Sequence, residues 1–318
     1  MEHHSGQWIE GISQLQLDEE ASLGSLIAQY FQLVEPQNLQ ILPGPSLKKP
    51  VVQAAIYEHM FNEAVLWPIP PATYRTRVLK MIISRIEESF SDPEEDEILD
   101  DLFRCWSDLS TRPQLSALDA AQKPSYVRYT APNVVDSRDC RTVVTLESRG
   151  LILSSGTTGF RTWEAALHLG TFLCTPEGES IVRGKRVIEL GAGTGFLSMF
   201  CAKHLGADGV LVTDRNPALI STIDDCVAYN HVSNNKIRSA IWDWGDSLRT
   251  EQALRSSQPI HFDVALGADL LTLWIPGCTA ASRLQAHIIP FQSPPLQEQS
   301  GFFHTTNIPI RTYRISRL

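Results

Sequence analysis

The sequence predicts an α/β protein, a parallel doubly wound sheet preceded by a separate helical domain. Three observations carry that reading. Residues 187–195 read Val-Ile-Glu-Leu-Gly-Ala-Gly-Thr-Gly, a short apolar run into a glycine-rich turn, and Phe196-Leu197-Ser198-Met199 then opens a helix. From there strand-like and helix-like segments alternate as far as residue 266, the pattern of a parallel sheet. Residues 22 to 109 instead carry helical periodicity alone.

In chain order, Leu23, Leu26, Ile27, Tyr30, Phe31 and Val34 recur at helical spacing, and the helix is expected to stop at Glu35, before Pro36. Val51, Ala55, Ile56, His59 and Met60 mark a second helix, and Val78, Met81, Ile82, Ile83 and Ile86 a third. The acidic run Asp92-Pro93-Glu94-Glu95-Asp96-Glu97 reads as a solvated helix start, its carboxylates near the positive dipole end. Residues 1–109 are thus expected to form the helical domain and 110–125 a Pro-containing linker. In the next domain, 126–269, Thr142–Glu147 and Leu151–Ser154 are β-branched-rich and flank Ser148-Arg149-Gly150, so a hairpin is expected. A helix over Trp163–Leu173 precedes the glycine turn. After it the pattern predicts helix 196–205, strand 210–213, helix 217–229, and strands 237–241 and 262–266.

The length allows two domains. A net charge of −9 argues against broad nucleic-acid binding, which needs a basic face. The six cysteines are scattered with no C-x-x-C, a pattern of a reducing compartment, and Cys201 and Cys226 fall in apolar helical patterns as small buried hydrophobes. No apolar run reaches membrane-spanning length, and MEHHSGQWIEG lacks the basic and apolar regions of a signal peptide. A cytoplasmic monomer is expected, without a metal site, membrane or direct nucleic-acid partner.

The glycine turn carries the chemistry. Glycines let the backbone turn sharply and let a ligand lie against it. Asp214, 19 residues past Gly195 and at the end of the apolar run Val210–Thr213, is placed to accept hydrogen bonds from two ribose hydroxyls. The spacing is G-x-G-x-G (Gly191, Gly193, Gly195), not the G-x-G-x-x-G of a dinucleotide site. Glu189 lies two residues before the first glycine. A carboxylate there is awkward beside a pyrophosphate and suits a cofactor with a cationic end. The pattern therefore favours S-adenosyl-L-methionine over a nicotinamide or flavin dinucleotide, with a ligand-free glycine turn as the plain alternative.

Taken together, Gly159-Phe160-Arg161-Thr162-Trp163-Glu164-Ala165-Ala166, the Val187–Gly195 turn, Asp214, Trp242-Asp243-Trp244 and Gly267-Ala268-Asp269 resemble the seven-β-strand protein-lysine methyltransferases. The helical N-terminal region is similar to the subgroup acting on translation elongation factor 2 in its fungal form. The resemblance covers residues 20–269 and implies a Rossmann-like class I methyltransferase sheet. It implies that Gly191, Ala192 and Gly193 pass beneath the methionine and ribose of the cofactor, and that Asp214 binds the ribose. It further implies that Trp244 lies by the adenine, Trp163 caps the cofactor and Ala268 lines the floor. Alternatives stay open: Trp163 as a core aromatic, Asp214 as a strand-end cap, and Trp242, of the same strand parity as Trp244, as a core residue. In the family an acid-x-x-Tyr arrangement serves the acceptor lysine. Asp269 matches the acid and is the expected catalytic carboxylate, but Thr272 stands where the tyrosine would be. The implied function is S-adenosylmethionine-dependent lysine methylation of elongation factor 2. The alternative is an inactive adaptor that binds a translation factor or chaperone client.

Past Asp269 the composition changes abruptly. Residues 270–318 hold one acid (Glu298), four arginines and no lysine. Such a break is what a shifted reading frame or retained intron would leave. This tail is expected to leave the sheet incomplete, to be largely irregular or poorly packed, and so to leave the chain with little or no lysine methylation. Its only strand candidates are His287–Ile289 and Thr312–Ile315.

Overall fold

The computed structural model describes residues 17–92, 94–113, 119, 123–132, 140–149, 157–248, 261–270 and 284–317. The chain divides into two compact units, Met1–Asp119 and Ala120–Leu318.

The first unit is helical: α1 (Leu17–Phe31), α2 (Gly44–Leu47), α3 (Pro50–Ile56), α4 (Ala72–Glu87) and α5 (Asp100–Thr111). Its core gathers Leu23, Leu26, Tyr30, Ile56, Val78, Ile82 and Leu102, all fully buried. The three expected helices are present, with two differences. The first ends at Phe31, four residues before Glu35, because Leu33 adopts φ 56°. The Val34 N–H then reaches Gln29 O, and the Leu33 N–H reaches Tyr30 O. This Schellman-type closure satisfies the last carbonyls and stops the helix before proline can. The second continues past α3 as a π-helical turn, Tyr57–Phe61. The acidic run is not a helix start, since α5 begins only at Asp100. Asp96 instead caps a loop: its Oδ2 accepts from the backbone N–H groups of Ser91 and Asp92, and Lys48 Nζ lies 2.8 Å away. Those contacts hold its carboxyl well below the usual carboxylate range, the backbone hydrogen bonds first.

The second unit contains β1 (Ser125–Thr130), β2 (Thr142–Glu147), α6 (Glu164–Leu173), α7 (Pro176–Val182), β3 (Arg186–Leu190), α8 (Phe196–His204), β4 (Gly209–Asp214), α9 (Pro217–Tyr229), β5 (Ile237–Ile241), β6 (Val264–Leu266), β7 (Leu284–Ile289) and β8 (Thr312–Arg317). Among the described residues the parallel sheet is four-stranded, in the order β5-β4-β3-β6. The chain builds outward from β3 through β4 to β5, then returns to place β6 on the other side of β3. That reversal makes a switch point between β3 and β6, where ligands of open α/β sheets bind at the strand C-termini. In helix α8 the residues Phe196–Ala202 are all buried. Cys201 and Cys226 are buried in α8 and α9 as expected, and burial pushes the Cys226 thiol up to about 11.

Half of the expected hairpin falls within the described residues. Thr142–Glu147 is a strand, but its partner is Ser125–Thr130, in register Ser125↔Glu147. Residues 151–154 lie outside the described residues. The β2 backbone is also met by Asn230, whose amide accepts from Val144 N (2.9 Å) and donates to Val144 O (2.7 Å).

The tail adds nothing to the parallel sheet among the described residues: β7 and β8 pair with each other, antiparallel, as a sheet of their own. That pair leaves Ile288 and Ile315 exposed. The expectation of poor packing is nonetheless overturned for Gly301–His304, between the strands. Phe302 is fully buried, edge-on to Phe196 and Phe200 at ring-centroid distances of 4.9 and 5.0 Å. Its N–H donates to Thr130 O at 2.8 Å. A Cβ on Gly301 would lie 2.5 Å from backbone atoms of Thr130, Ala131 and Pro132, so only glycine lets the tail approach β1 this closely.

Candidate active site

A cleft of about 350 Å³ opens at the C-terminal ends of β3, β4, β5 and β6. The turn after β3 forms its floor. Gly191, Gly193 and Gly195 all take positive φ, 61°, 55° and 72°. Side chains rarely adopt that backbone. Space is tight as well: a Cβ on Gly193 would lie 3.1 Å from Gly159 O, and one on Gly191 3.1 Å from the Leu270 side chain. The turn is pinned by Ala192 N–H donating to Thr213 O and by Gly193 N–H donating to Asp214 Oδ2 at 3.0 Å.

Trp163, Gly191, Ala192, Gly193, Asp214, Trp244, Ala268 and Asp269 all line this one cleft. Trp163 is the N-cap of α6; its indole N–H donates to Thr158 O at 3.0 Å, and the Arg161 guanidinium lies over its ring at 5.0 Å. Asp214 ends β4 and is nearly buried, its second oxygen accepting from Asn216 N. Ala268 and Asp269 follow β6, and Asp269 is exposed with φ 61°. The reading of Trp242 as a core residue is corrected: it is half-buried, lines the cleft together with Trp244, and donates its indole N–H to Asp246 O. Thr272 lies outside the described residues.

Glu189 is buried at the base of the cleft. Its Oε2 accepts from both the backbone N–H and the hydroxyl of Ser198, in the first turn of α8. Burial pushes its carboxyl up to about 7; the Ser198 hydrogen bonds oppose that shift and the Asp214 charge adds to it. Its carboxylate therefore serves α8 as well as the cleft.

Sequence reasoning did not find the buried group beneath the cleft. Glu147, at the end of β2, accepts on Oε1 from Tyr129, Thr145 and Thr162 hydroxyls at 2.8, 2.7 and 2.7 Å. Thr162 also meets the Thr194 hydroxyl of the glycine turn at 2.7 Å. The only signal was local: Thr145 and Glu147 share one face of a strand.

A cleft lined by left-handed glycines, with Asp214 after the second strand and Glu189 beneath the turn, suits a nucleoside with a cationic end. The lysine methyltransferase family profile matches residues 152–273. The protein-lysine N-methyltransferase EFM3 of Chaetomium thermophilum is 39% identical over 243 residues, covering 76% of this chain and 71% of that protein. The chain belongs to the protein-lysine N-methyltransferase family. Its cofactor is S-adenosylmethionine, and the residues of the cleft fit it. EFM3 of Saccharomyces cerevisiae is 32% identical over 143 residues, covering 39% of this chain and 38% of that one. The human protein-lysine N-methyltransferase EEF2KMT is 28% identical over 138 residues, 40% of each.

Proposed function

We propose that this chain transfers a methyl group from S-adenosylmethionine to a lysine of translation elongation factor 2. One observation supports the reading most: the eight residues singled out from the sequence line the same cleft at the strand C-termini. Similarity to enzymes named for elongation-factor lysines points the same way.

When bound, S-adenosylmethionine supplies an electrophilic methyl on a sulfonium. The chain does the rest by holding and aligning groups. Asp214 would accept from the ribose hydroxyls with the lone pairs that Gly193 and Asn216 leave free. Gly191, Ala192 and Gly193 would present bare backbone to the methionine and ribose, Trp244 would lie beside the adenine, Trp163 would cap the cofactor and Ala268 would line the floor. A lysine amine has a pKa near 10.4 and must lose its proton before it attacks. Asp269, exposed at the cleft, orients that amine.

The proposed organisation is a helical domain over 1–109, a linker over 110–125, a cofactor-binding domain over 126–269 and a tail over 270–318. The division between compact units falls inside that linker. Among the described residues no helix is long and apolar enough to cross a membrane. A cytoplasmic monomer is the proposed state.

The adaptor reading draws on β6, which among the described residues pairs with β3 alone, leaving the acceptor side of the sheet at an edge. Incubation of the 318-residue chain with elongation factor 2 and methyl-labelled cofactor separates the two. Label on a lysine is expected; cofactor binding and factor binding without label would favour the adaptor.

A further inference from the structure

The buried hydroxyl chain beneath the glycine turn has a direction, and the direction has a consequence for the ligand. Glu147 is 1% exposed, and Arg149 Nε stands 3.8 Å from its Oε2. Glu147 Oε1 accepts from the Tyr129, Thr145 and Thr162 hydroxyls. Thr162 has one hydroxyl proton, and it is committed to Glu147 at 2.7 Å. In the 2.7 Å contact between Thr162 and Thr194, Thr162 must therefore accept and Thr194 must donate. Thr194 lines the cleft, and with its proton spent on Thr162 its hydroxyl can meet a ligand there only as an acceptor.

We propose that Glu147 and Thr162 are positioning residues that fix the Thr194 hydroxyl as an acceptor in the cleft, where it selects the ammonium of the cofactor's amino-acid end. The proposal rests on the reading of the cleft as the S-adenosylmethionine site. A hydroxyl with a free proton would welcome a carboxylate or an ammonium equally. One whose proton is already spent favours donors.

The test uses two ligands that differ in that end alone: S-adenosylhomocysteine, which has the amino-acid end, and 5′-methylthioadenosine, which lacks it. Each is titrated calorimetrically into the 318-residue chain and into Thr194→Val, Thr194→Ser and Thr162→Val. Thr194→Val is expected to weaken S-adenosylhomocysteine about tenfold, as for a lost hydrogen bond to a charged group, and to leave methylthioadenosine unchanged. Thr194→Ser should restore the native ratio, and Thr162→Val should lower it, because the Thr194 proton is then free to turn. Equal weakening of both ligands would mean that Thr194 only stiffens the turn, and would overturn the proposal, as would no change in either. Failure of the native chain to bind either ligand would instead overturn the cofactor site itself.

Discussion

Asp214 is the residue on which cofactor affinity is expected to turn. Its carboxylate ties the turn through Gly193 N–H and its own loop through Asn216 N–H, while keeping lone pairs toward the cleft. Asp214→Ala should weaken S-adenosylmethionine binding by about 2–3 kcal/mol, the scale of charge-assisted hydrogen bonds to two hydroxyls. Calorimetry on a folded variant measures it, and an unchanged dissociation constant would make Asp214 a strand-end cap. Glu189 gives a pH signature. Its carboxyl sits at about 7 in the fold, above the ordinary value of 4.5. The folded chain thus holds this proton more tightly than the unfolded chain. The favourable contribution is complete below about pH 4.5 and is lost as pH rises through about 7. Glu189→Gln, which cannot ionise, should gain stability relative to the native chain by roughly 3 kcal/mol between those limits. Urea unfolding of both proteins at pH 5 and pH 8 gives the comparison; a difference that does not grow with pH would contradict the assignment.

At the scale of elements, the tail is an integral part of the second unit. Phe302 fills the space against Phe196 and Phe200, and Gly301 seats it against β1. Phe302→Ala should cost about 3–5 kcal/mol, the range for emptying a buried aromatic site. Chemical denaturation followed in the second unit tests it, and a loss below about 1 kcal/mol would restore the view of a loosely attached tail. The central strands and helices were legible in the sequence because their signals are local: apolar runs, glycines and the acid at Asp214. What was not legible has two causes: the pairing of β2 with β1 and the burial of Phe302 depend on contacts far along the chain, and the end of α1 depends on one local backbone conformation. Ser125–Thr130 pairs with β2 across residues 131–141, too long a connection to read as a tight turn. Leu33 stops α1 by adopting a left-handed backbone that nothing about leucine announces. Phe302 sits among Gln, Ser and Pro, and its burial depends on rings from α8. That the eight proposed residues would line one cleft was legible because motifs place them at the strand ends. The Glu147–Thr162–Thr194 chain was not, since it exists only once β2, the α6 entry and the glycine turn meet.

At the scale of the whole molecule, a helical unit and a cofactor-binding unit share one chain of 318 residues. The change of composition at residue 270 had suggested a chain with little activity. The packed stretch around Phe302 removes part of that ground, because the tail contributes to the core it was expected to leave unfilled. The account therefore holds that this chain, with its tail, is an S-adenosylmethionine-dependent protein-lysine methyltransferase. The measurement that tests this most directly is transfer of labelled methyl to elongation factor 2 by the 318-residue chain, with Asp214→Ala in parallel at a cofactor concentration below saturation. The account predicts label on lysine with the native chain and a loss of it, recoverable with added cofactor, in the variant. Absence of label from the native chain, with the cofactor shown to be bound, would contradict it.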